Sequence, residues 1–294
     1  MNSMTYDDLY MWLNDDDRAF HVSELDKGDI NSRILYLDML EKFIKDGVIE
    51  KYGDKRGWYQ TRKTDLQEMD FINADEKPIK LWMPFDIDLK VNFYPGNIII
   101  IAGTWNAGKT AVVLNMIVNN RYQHNIHYFN SEMSASELRI RLKKFEPEGV
   151  SIEDWNFKAY HRAERFADVI FPGPGNLNII DFLEIHDEFY VMGRRIKEIH
   201  DRLNGALCVI CIQKNRGTER DMGLGGDRSM EVARLVVTLD PGRVKLTKAK
   251  NFKNPKENPN GKMRDFTLYD GYKLQCKDGW YREKGGAREN DKSL

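Results

Sequence analysis

Apolar residues recur at helical spacing in the first fifty residues of the chain. The clearest predicted helix is "NSRILYLDMLEKFIKDG", whose recurring apolar positions are Ile34, Leu37, Leu40 and Ile44. Gly47 follows it where a C-terminal cap belongs. Two shorter helices are predicted before it, "TYDDLYMWLN" with Thr5 as N-cap and "VSELDKGD" with Ser23 as N-cap.

After the third predicted helix, the pattern changes to that of a hairpin. In "VIEKYGDKRGWYQTR", two β-prone runs flank the turn "GDKRG". Three helices followed by a hairpin resemble a winged helix-turn-helix domain, and the resemblance covers residues 5–62. It implies that the third helix and the hairpin contact duplex DNA. The candidate contacts are Arg33, Tyr36, Lys42, Lys55 and Arg56.

The predicted domain boundaries follow from the loss of periodicity. The first domain is assigned to residues 1–65, and "KTDLQEMDFINADEKPIK" lacks a clear period, which predicts a linker at 66–80. A larger α/β domain is predicted at 81–282, and a flexible basic tail at 283–294. Residues 1–80 carry 18 acidic and 12 basic side chains. Since this charge opposes contact with phosphates, a protein partner for the first domain stays open.

The most specific pattern is "GTWNAGKT", which fits the phosphate-loop motif G-x-x-x-x-G-K-[ST]. It follows "NIIII", a continuous apolar run typical of a buried parallel strand, and precedes a predicted helix. Lys109 is predicted to reach the β- and γ-phosphates of ATP, and Thr110 to supply a hydroxyl for Mg²⁺. The nucleotide site is assigned to the whole motif: Gly103, Thr104, Trp105, Asn106, Ala107, Gly108, Lys109 and Thr110.

Polar residues follow or end three further predicted strands. Glu132 follows "NIHYF" and precedes a helix capped by Ser134, Asp181 ends "LNIID", and Gln213 ends "ALCVICIQ". Ligands of open α/β sheets bind at the carboxyl ends of the strands, so these residues should meet the phosphate loop. Glu132 would orient the attacking water. Asp181 would hold the water shell of Mg²⁺, and Gln213 would sense the γ-phosphate.

The segments "GTWNAGKT", "YFNSEMSASELRIRL", "NIIDFLEI" and "VICIQKN" occur in the order and spacing of the RecA/DnaB-like ATPases. The resemblance covers about residues 81–275, and "SEMS" before an amphipathic helix is especially similar to DnaB-type replicative helicases. It implies a RecA-like α/β fold, a mostly parallel sheet flanked by helices. It also implies that Glu132 is the catalytic carboxylate, Asp181 the Walker B acid and Gln213 the sensor.

The same resemblance implies a homo-oligomer, a hexameric ring or a filament, in which a basic group reaches the ATP of a neighbouring subunit. Lys248 and Lys250 match the lysine of the family. The arginine that DnaB-type helicases carry two positions later is absent, and Phe252 or Lys253 stands there. Which residue acts on the neighbouring subunit is therefore left open by the sequence.

Two long segments are predicted to bind single-stranded DNA. Residues 216–229 contain glycines and no periodicity, and residues 251–265 are basic and rich in Asn and Pro. The candidate contacts are Arg216, Arg220, Arg228, Lys253 and Lys256. Surface loops without DNA contact remain the alternative for both segments.

Composition limits the setting of the protein. Cys208 and Cys211 would point to opposite faces of one strand, which excludes a shared metal ion. Three unpaired thiols are typical of a reducing cytosol. No apolar run approaches the roughly 20 residues of a membrane helix, and the acidic N-terminus is unlike a signal peptide. We expect a cytoplasmic protein without membrane contact.

Three functions fit these features. The first is an ATP-driven DNA-processing protein, a DnaB-like helicase or related ring-forming motor acting on single-stranded DNA. The second is a RecA-type recombinase or annealing protein that forms filaments. The third is an ATP-switched DNA-binding regulator or loader, favoured by the missing arginine and the acidic first domain. A role in replication or recombination of a phage or other mobile element is the biological setting that the resemblance suggests.

Overall fold

The computed structural model describes residues 5–15, 18–25, 30–62, 66, 68–183, 189–214, 230–284 and 287–290. The chain divides into two compact units, residues 1–75 and 76–294. The division falls within the segment at 66–80 that the sequence assigns to a linker. None of the helices in the described ranges has the length and apolar character needed to cross a membrane.

The first unit combines two α-helices with a small antiparallel sheet. Its elements are α1 (Tyr6–Asp15), β1 (Phe20–His21), α2 (Ile30–Lys45), β2 (Ile49–Lys51) and β3 (Trp58–Thr61). The sheet order is β1–β3–β2, with the predicted hairpin forming β2 and β3. Strand β1 was not predicted, because a two-residue strand has no period of its own.

The first helix begins as predicted, whereas the second does not. Thr5 and Asp8 bond each other's backbone N–H groups, at 2.9 Å to Asp8 and 3.2 Å to Thr5, which caps α1. The segment predicted as a second helix forms, in its described part, one 3₁₀ turn at Val22–Glu24. His21 caps this turn instead of Ser23, because its ring accepts the Ser23 N–H and Glu24 accepts the His21 N–H.

Helix α2 buries most of the predicted positions. Leu40 is buried, and Leu37 and Ile44 are partly buried against the same core, but Ile34 is more than half exposed. Tyr36 and Phe43 are also buried. The Tyr6 ring stacks on Phe43 at 4.2 Å between centroids, so aromatic packing against α1 selects the buried face. The prediction that Tyr36 faces DNA was wrong, because this side chain belongs to the core.

The second unit is a large sheet with helices on both sides. Its helices are α3 (Lys109–Asn120), α4 (Ala135–Lys143) and α5 (Phe189–Arg202). Its first six strands are β4 (Ile98–Gly103), β5 (Asn125–Asn130), β6 (Lys158–His161), β7 (Asn176–Leu183), β8 (Leu207–Gln213) and β9 (Leu235–Asp240). The others are β10 (Arg243–Ala249), β11 (Met263–Tyr269), β12 (Lys273–Cys276), β13 (Tyr281–Lys284) and β14 (Ala287–Asn290).

Six of these strands run parallel, in the order β9–β4–β8–β7–β5–β6. Strands β10, β11, β13 and β14 continue the sheet beyond β9 in antiparallel pairs, and β12 pairs with β11. The predicted fold class, a mostly parallel RecA-like sheet flanked by helices, is confirmed. Residues 287–290, assigned to a flexible tail by sequence, instead form the second strand of a hairpin.

Burial on both faces explains the continuous apolar run that precedes the phosphate loop. Strand β4 pairs with β8 on one side and β9 on the other, and Ile98–Ile101 are fully buried. Ile99 packs in the layer that contains α3, and Ile98 packs in the layer that contains α5. Cys208 and Cys211 also fall in opposite layers, as strand alternation predicts.

Candidate functional site

A cavity of about 990 Å³ opens at the carboxyl ends of the parallel strands. The phosphate loop, Glu132, Asp181 and Gln213 line it together. These residues come from β4, β5, β7 and β8, which are adjacent to one another in the sheet order. The cavity is therefore the place at which the predicted nucleotide-site residues meet.

The phosphate loop is shaped by residues with left-handed backbone conformations. Gly108 has φ +93° and is the residue before α3, and Asn106 has φ +58°. A Cβ atom at Gly103 would lie 2.9 Å from Lys109 Cγ, so only glycine lets the lysine fold back across the loop. Trp105 is 68% exposed at the tip of the loop.

Lys109 is held by neutral oxygen atoms of its own loop and of β8. Its Nζ donates to the carbonyls of Gly103 at 3.0 Å and Thr104 at 3.2 Å, and to Gln213 Oε1 at 3.3 Å. The Thr104 side chain is buried and does not line the cavity. Burial lowers the pKa of Lys109, and the neighbouring acidic groups raise it in opposition. No described carboxylate forms an ion pair with this amine.

Asp181 is a buried carboxylate surrounded by donors. Tyr128 Oη donates to Asp181 Oδ2 at 2.8 Å, and Thr110 lines the same cavity. Burial raises the pKa of Asp181, and the Tyr128 hydrogen bond, the Thr110 hydroxyl and the positive charge of Lys109 act against that rise. Sequence reasoning missed Tyr128, since only the pairing of β5 with β7 brings the two side chains together.

Glu132 lies in the turn between β5 and α4, at an exposed position on the cavity wall. Asn130 shapes the turn, because its Oδ1 accepts the N–H of Glu132 at 3.1 Å and of Met133 at 3.0 Å. Ser134 then caps α4 with Glu137 in a reciprocal capping box, as predicted. Asn130 was another residue that sequence reasoning missed.

Two side chains at the end of β8 complete the wall of the cavity. Gln213 Nε2 donates to the Lys214 carbonyl at 3.1 Å while its oxygen accepts Lys109. Lys214 is 4% exposed and forms an ion pair with Asp240 at 2.8 Å. Gln213 is thus coupled directly to the phosphate-loop lysine.

The residues present fit a nucleotide with Mg²⁺. Thr110 and Asp181 line the cavity with a hydroxyl and a carboxylate, the hard oxygen ligands that Mg²⁺ prefers. Within the described ranges, no group of three or more His, Cys, Asp or Glu side chains could hold a metal ion alone. Mg²⁺ typically binds through one or two protein oxygens, with substrate phosphates and water filling the other positions.

Lys248 and Lys250 lie at the other edge of the sheet. Lys248 pairs with Val236, and its Nζ donates to the carbonyls of Met230 and, at 3.1 Å, Glu231. The exposed Lys250 follows β10, where its N–H bonds the Arg234 carbonyl next to the start of β4. Neither lysine lines the cavity of its own chain.

The two residues at the position of the missing arginine are both engaged. Phe252 packs against the main core and bridges to Val91. Lys253 donates its N–H to the Lys90 carbonyl at 2.9 Å and its Nζ to the Asp88 carbonyl at 3.2 Å. The segment that follows is tied down further, since Glu257 forms an ion pair with Lys90 at 3.1 Å and another with Lys262.

The other predicted DNA contacts are scattered. Arg33, Arg56 and Lys256 are exposed. Lys42 lies over the Tyr6 ring at 4.3 Å, and Lys55 lies between the rings of Tyr52 and Trp58 at 5.6 and 5.7 Å. The remaining candidates, Arg216, Arg220 and Arg228, lie outside the described residues.

No model of a known protein family matches the sequence, and no curated protein sequence matches it. Among solved structures, a KaiC-like protein from the hyperthermophilic archaeon Pyrococcus horikoshii OT3 is similar, with a TM-score of 0.49 and 15% identity. The match covers 68% of this chain and 100% of that one. A similarity at this level does not bear on substrate or partner. By its own sheet order and phosphate loop, the chain has a RecA-like α/β fold.

Proposed function

We propose that the protein is a Mg²⁺-dependent ATPase. The observation that carries this proposal is the convergence of Lys109, the Thr110–Asp181 pair and Glu132 on one cavity at the carboxyl edge of the sheet. A strand–turn–helix corner that only happened to match the loop motif would give no reason for carboxylates at the ends of two neighbouring strands. Phosphate groups are favoured there by the amine and by the N-terminus of α3.

Each residue has a role in hydrolysis. Lys109 would exchange its carbonyl partners for the β- and γ-phosphates, while Thr110 and Asp181 would hold Mg²⁺, which supplies charge neutralisation at the phosphates. Glu132 would accept a proton from the attacking water. Gln213 shares the Lys109 amine, so loss of the γ-phosphate would change its hydrogen bonding and shift β8.

We further propose that the protein is an oligomeric, ATP-driven DNA-processing protein similar to DnaB-like motors. The exposed Lys250 and its neighbours Lys248 and Arg234 place positive charge at the edge of the sheet opposite the cavity. Such charge would serve the ATP of an adjacent subunit, with DNA held by the segment at 216–229. The excess of seven basic residues at 241–294 supports contact with a polyanion.

An ATP-switched regulator or loader is the second candidate, and Phe252 favours it. An uncharged, partly buried residue at the arginine position removes one cation from the catalysis that adjacent subunits would share in a DnaB-like motor. The first unit, with its β1–β3–β2 sheet and the exposed Arg33, Lys55 and Arg56, would then be a winged-helix domain that binds a specific DNA site.

Steady-state ATP hydrolysis, measured with and without single-stranded and duplex DNA, tests these proposals. We expect Mg²⁺-dependent turnover that Lys109→Ala abolishes, and stimulation by single-stranded DNA in the motor case. Slow turnover without stimulation, together with salt-resistant binding to one duplex sequence, would favour the regulator. No ATP binding by the full chain would exclude the ATPase.

A further inference from the structure

Among the described residues, three cationic side chains line the nucleotide cavity, and two of them already have bonding partners. Lys109 bonds the carbonyls of its own loop, and Lys214 is buried in an ion pair with Asp240. The third is Arg141, on the last turn of α4. Among the described residues, none forms a hydrogen bond or an ion pair within 4 Å with its guanidinium, so Arg141 can bind an anion in the cavity without breaking a contact.

The packing of α4 aims this side chain. Leu138 and Leu142 are buried, and they fix the helix against the core on either side of Arg141. The capping box at Ser134 sets where the helix starts, at Ala135, three residues after Glu132. Arg141, Glu132 and Asp181 line the same cavity, so the guanidinium lies on the wall that carries both carboxylates.

Phosphoryl transfer needs positive charge near the γ-phosphate as the bond to the leaving group breaks. At the position of the arginine that DnaB-type helicases carry, two positions after Lys250, this chain has Phe252 or Lys253. Phe252 is uncharged and packs partly buried against the core, and Lys253 Nζ donates to the Asp88 carbonyl. Among the described cations that line the cavity, Arg141 is available for a phosphate, and it belongs to the same subunit as the phosphate loop.

We propose that Arg141 is a catalytic arginine that acts in cis, on the γ-phosphate of the ATP bound by its own chain. The proposal rests on the ATPase function proposed above. In the step it serves, water attacks the γ-phosphorus, Glu132 takes a proton of the water, and the bond from the γ-phosphorus to the bridging oxygen breaks. The electron pair leaves with ADP, and inorganic phosphate is released. Arg141 stays protonated and binds the oxygens on which charge develops.

A matched pair of variants tests the role. Arg139 lies two residues earlier on α4, about 200° around the helix from Arg141, and it does not line the cavity. In single-turnover hydrolysis, we expect Arg141→Ala to lower the rate by about 10³-fold, Arg141→Lys to recover part of it, and Arg139→Ala to retain the wild-type rate. Thermal unfolding and binding of a fluorescent ATP analogue, measured for all variants, separate catalysis from folding.

Mixing two inactive variants distinguishes cis from trans action. Arg141→Ala has an intact phosphate loop, and Lys109→Ala has an intact Arg141. If Arg141 acts within its own chain, their mixture stays inactive. Recovery of hydrolysis in the mixture would show that Arg141 serves a neighbour, and it would overturn the proposal. A mixture of Lys109→Ala with Lys250→Ala reports whether subunits exchange.

The outcomes separate this proposal from the ATPase function itself. Wild-type hydrolysis that Lys109→Ala abolishes and Arg141→Ala leaves intact would refute the role of Arg141 and keep the ATPase. An Arg141→Ala protein with weaker nucleotide binding and a normal rate at saturation would make Arg141 a binding residue only, which also refutes the proposal. A wild-type chain that binds nucleotide analogue but never hydrolyses ATP would refute the ATPase.

Discussion

The two edges of the large sheet carry different chemistry. The carboxyl edge combines a phosphate loop, two carboxylates and an amide around one cavity. The amino edge carries Arg234, Lys248 and Lys250, with no described acid in an ion pair with Lys248 or Lys250. One edge has the parts of a site that binds phosphates, and the other has only the charge that attracts them.

This difference is informative about assembly. Side chains on one sheet edge cannot reach a ligand on the other, because β4 alone separates them by six residues in extended conformation. In the assembly proposed above, the positive charge at the amino edge would act on a second molecule, either another copy or DNA. Arg141, in contrast, serves the carboxyl edge of its own chain. The proposed catalysis is divided between the two edges, with the arginine in cis and the lysine in trans.

Among the variants at the carboxyl edge, Glu132→Gln should lower ATP turnover the most. Removing a general base lowers the rate of proton transfer, so we expect ATP turnover to fall by about 10²–10⁴-fold with analogue binding retained. Glu137→Gln is the matched control, because glutamine preserves the capping box with Ser134. Wild-type turnover in Glu132→Gln would show that another group activates the water.

Lys109→Ala should lower turnover by about 10²–10³-fold, and it should also weaken nucleotide binding. The combined loss distinguishes it from Glu132→Gln, because the amine contacts the phosphates before and during the reaction. Titration with a fluorescent ATP analogue measures the binding part, and Lys143→Ala, on exposed α4 surface, serves as the control. Unchanged affinity would place the phosphates elsewhere in the cavity.

Lys250→Ala should affect only the amino edge and lower turnover by roughly 10–100-fold, the worth of one charge-assisted hydrogen bond. Specific activity of the wild type should rise with protein concentration, because the lysine acts between subunits. Lys253→Ala is the control, since its amine is already bound to the Asp88 carbonyl. If Lys253→Ala lowered turnover as much as Lys250→Ala, the inter-subunit role would not be specific to Lys250, and the assignment would be wrong.

Asp181→Asn should produce the smallest of the expected effects. It should lower ATP turnover, because a proposed Mg²⁺ ligand is lost, but it should raise the stability of the fold slightly. Burial raises the pKa of Asp181 above its value in the unfolded chain. The free energy of unfolding therefore falls as the pH rises through that raised pKa, because the buried carboxylate then becomes charged. Asparagine does not ionise, so the variant does not lose stability in this way. Without nucleotide, its melting temperature at pH 8 should exceed that of the wild type by about 2–4 °C.

Tyr128→Phe provides the contrast to Asp181→Asn. It removes a donor from the buried carboxylate while leaving its charge, so the melting temperature should fall. Calorimetry from pH 5 to 8 checks both variants. A lower melting temperature for Asp181→Asn across that range would mean that the ionised carboxylate stabilises the fold.

The sequence by itself determined the parallel sheet and the location of the cavity. A buried apolar strand before a glycine loop is a local pattern, and so is a capping box after Glu132. Because carboxyl ends of parallel strands share one edge, the predicted residues Glu132, Asp181 and Gln213 had to meet near Lys109. In the first unit, the same local logic placed α1 and the hairpin correctly.

Only the tertiary structure decided which side chains contact one another across the chain. The Tyr128–Asp181 bond needs β5 beside β7, and Tyr36 is buried in a cluster that residues of both α1 and α2 form. Phe252 packs against the core and bridges to Val91, 161 positions away, and Arg141 lines the cavity because α4 packs through Leu138 and Leu142. Hydrophobic periodicity indicates which face of a segment is buried but not which other segment covers it. That second choice depends on packing between segments that are distant in the sequence.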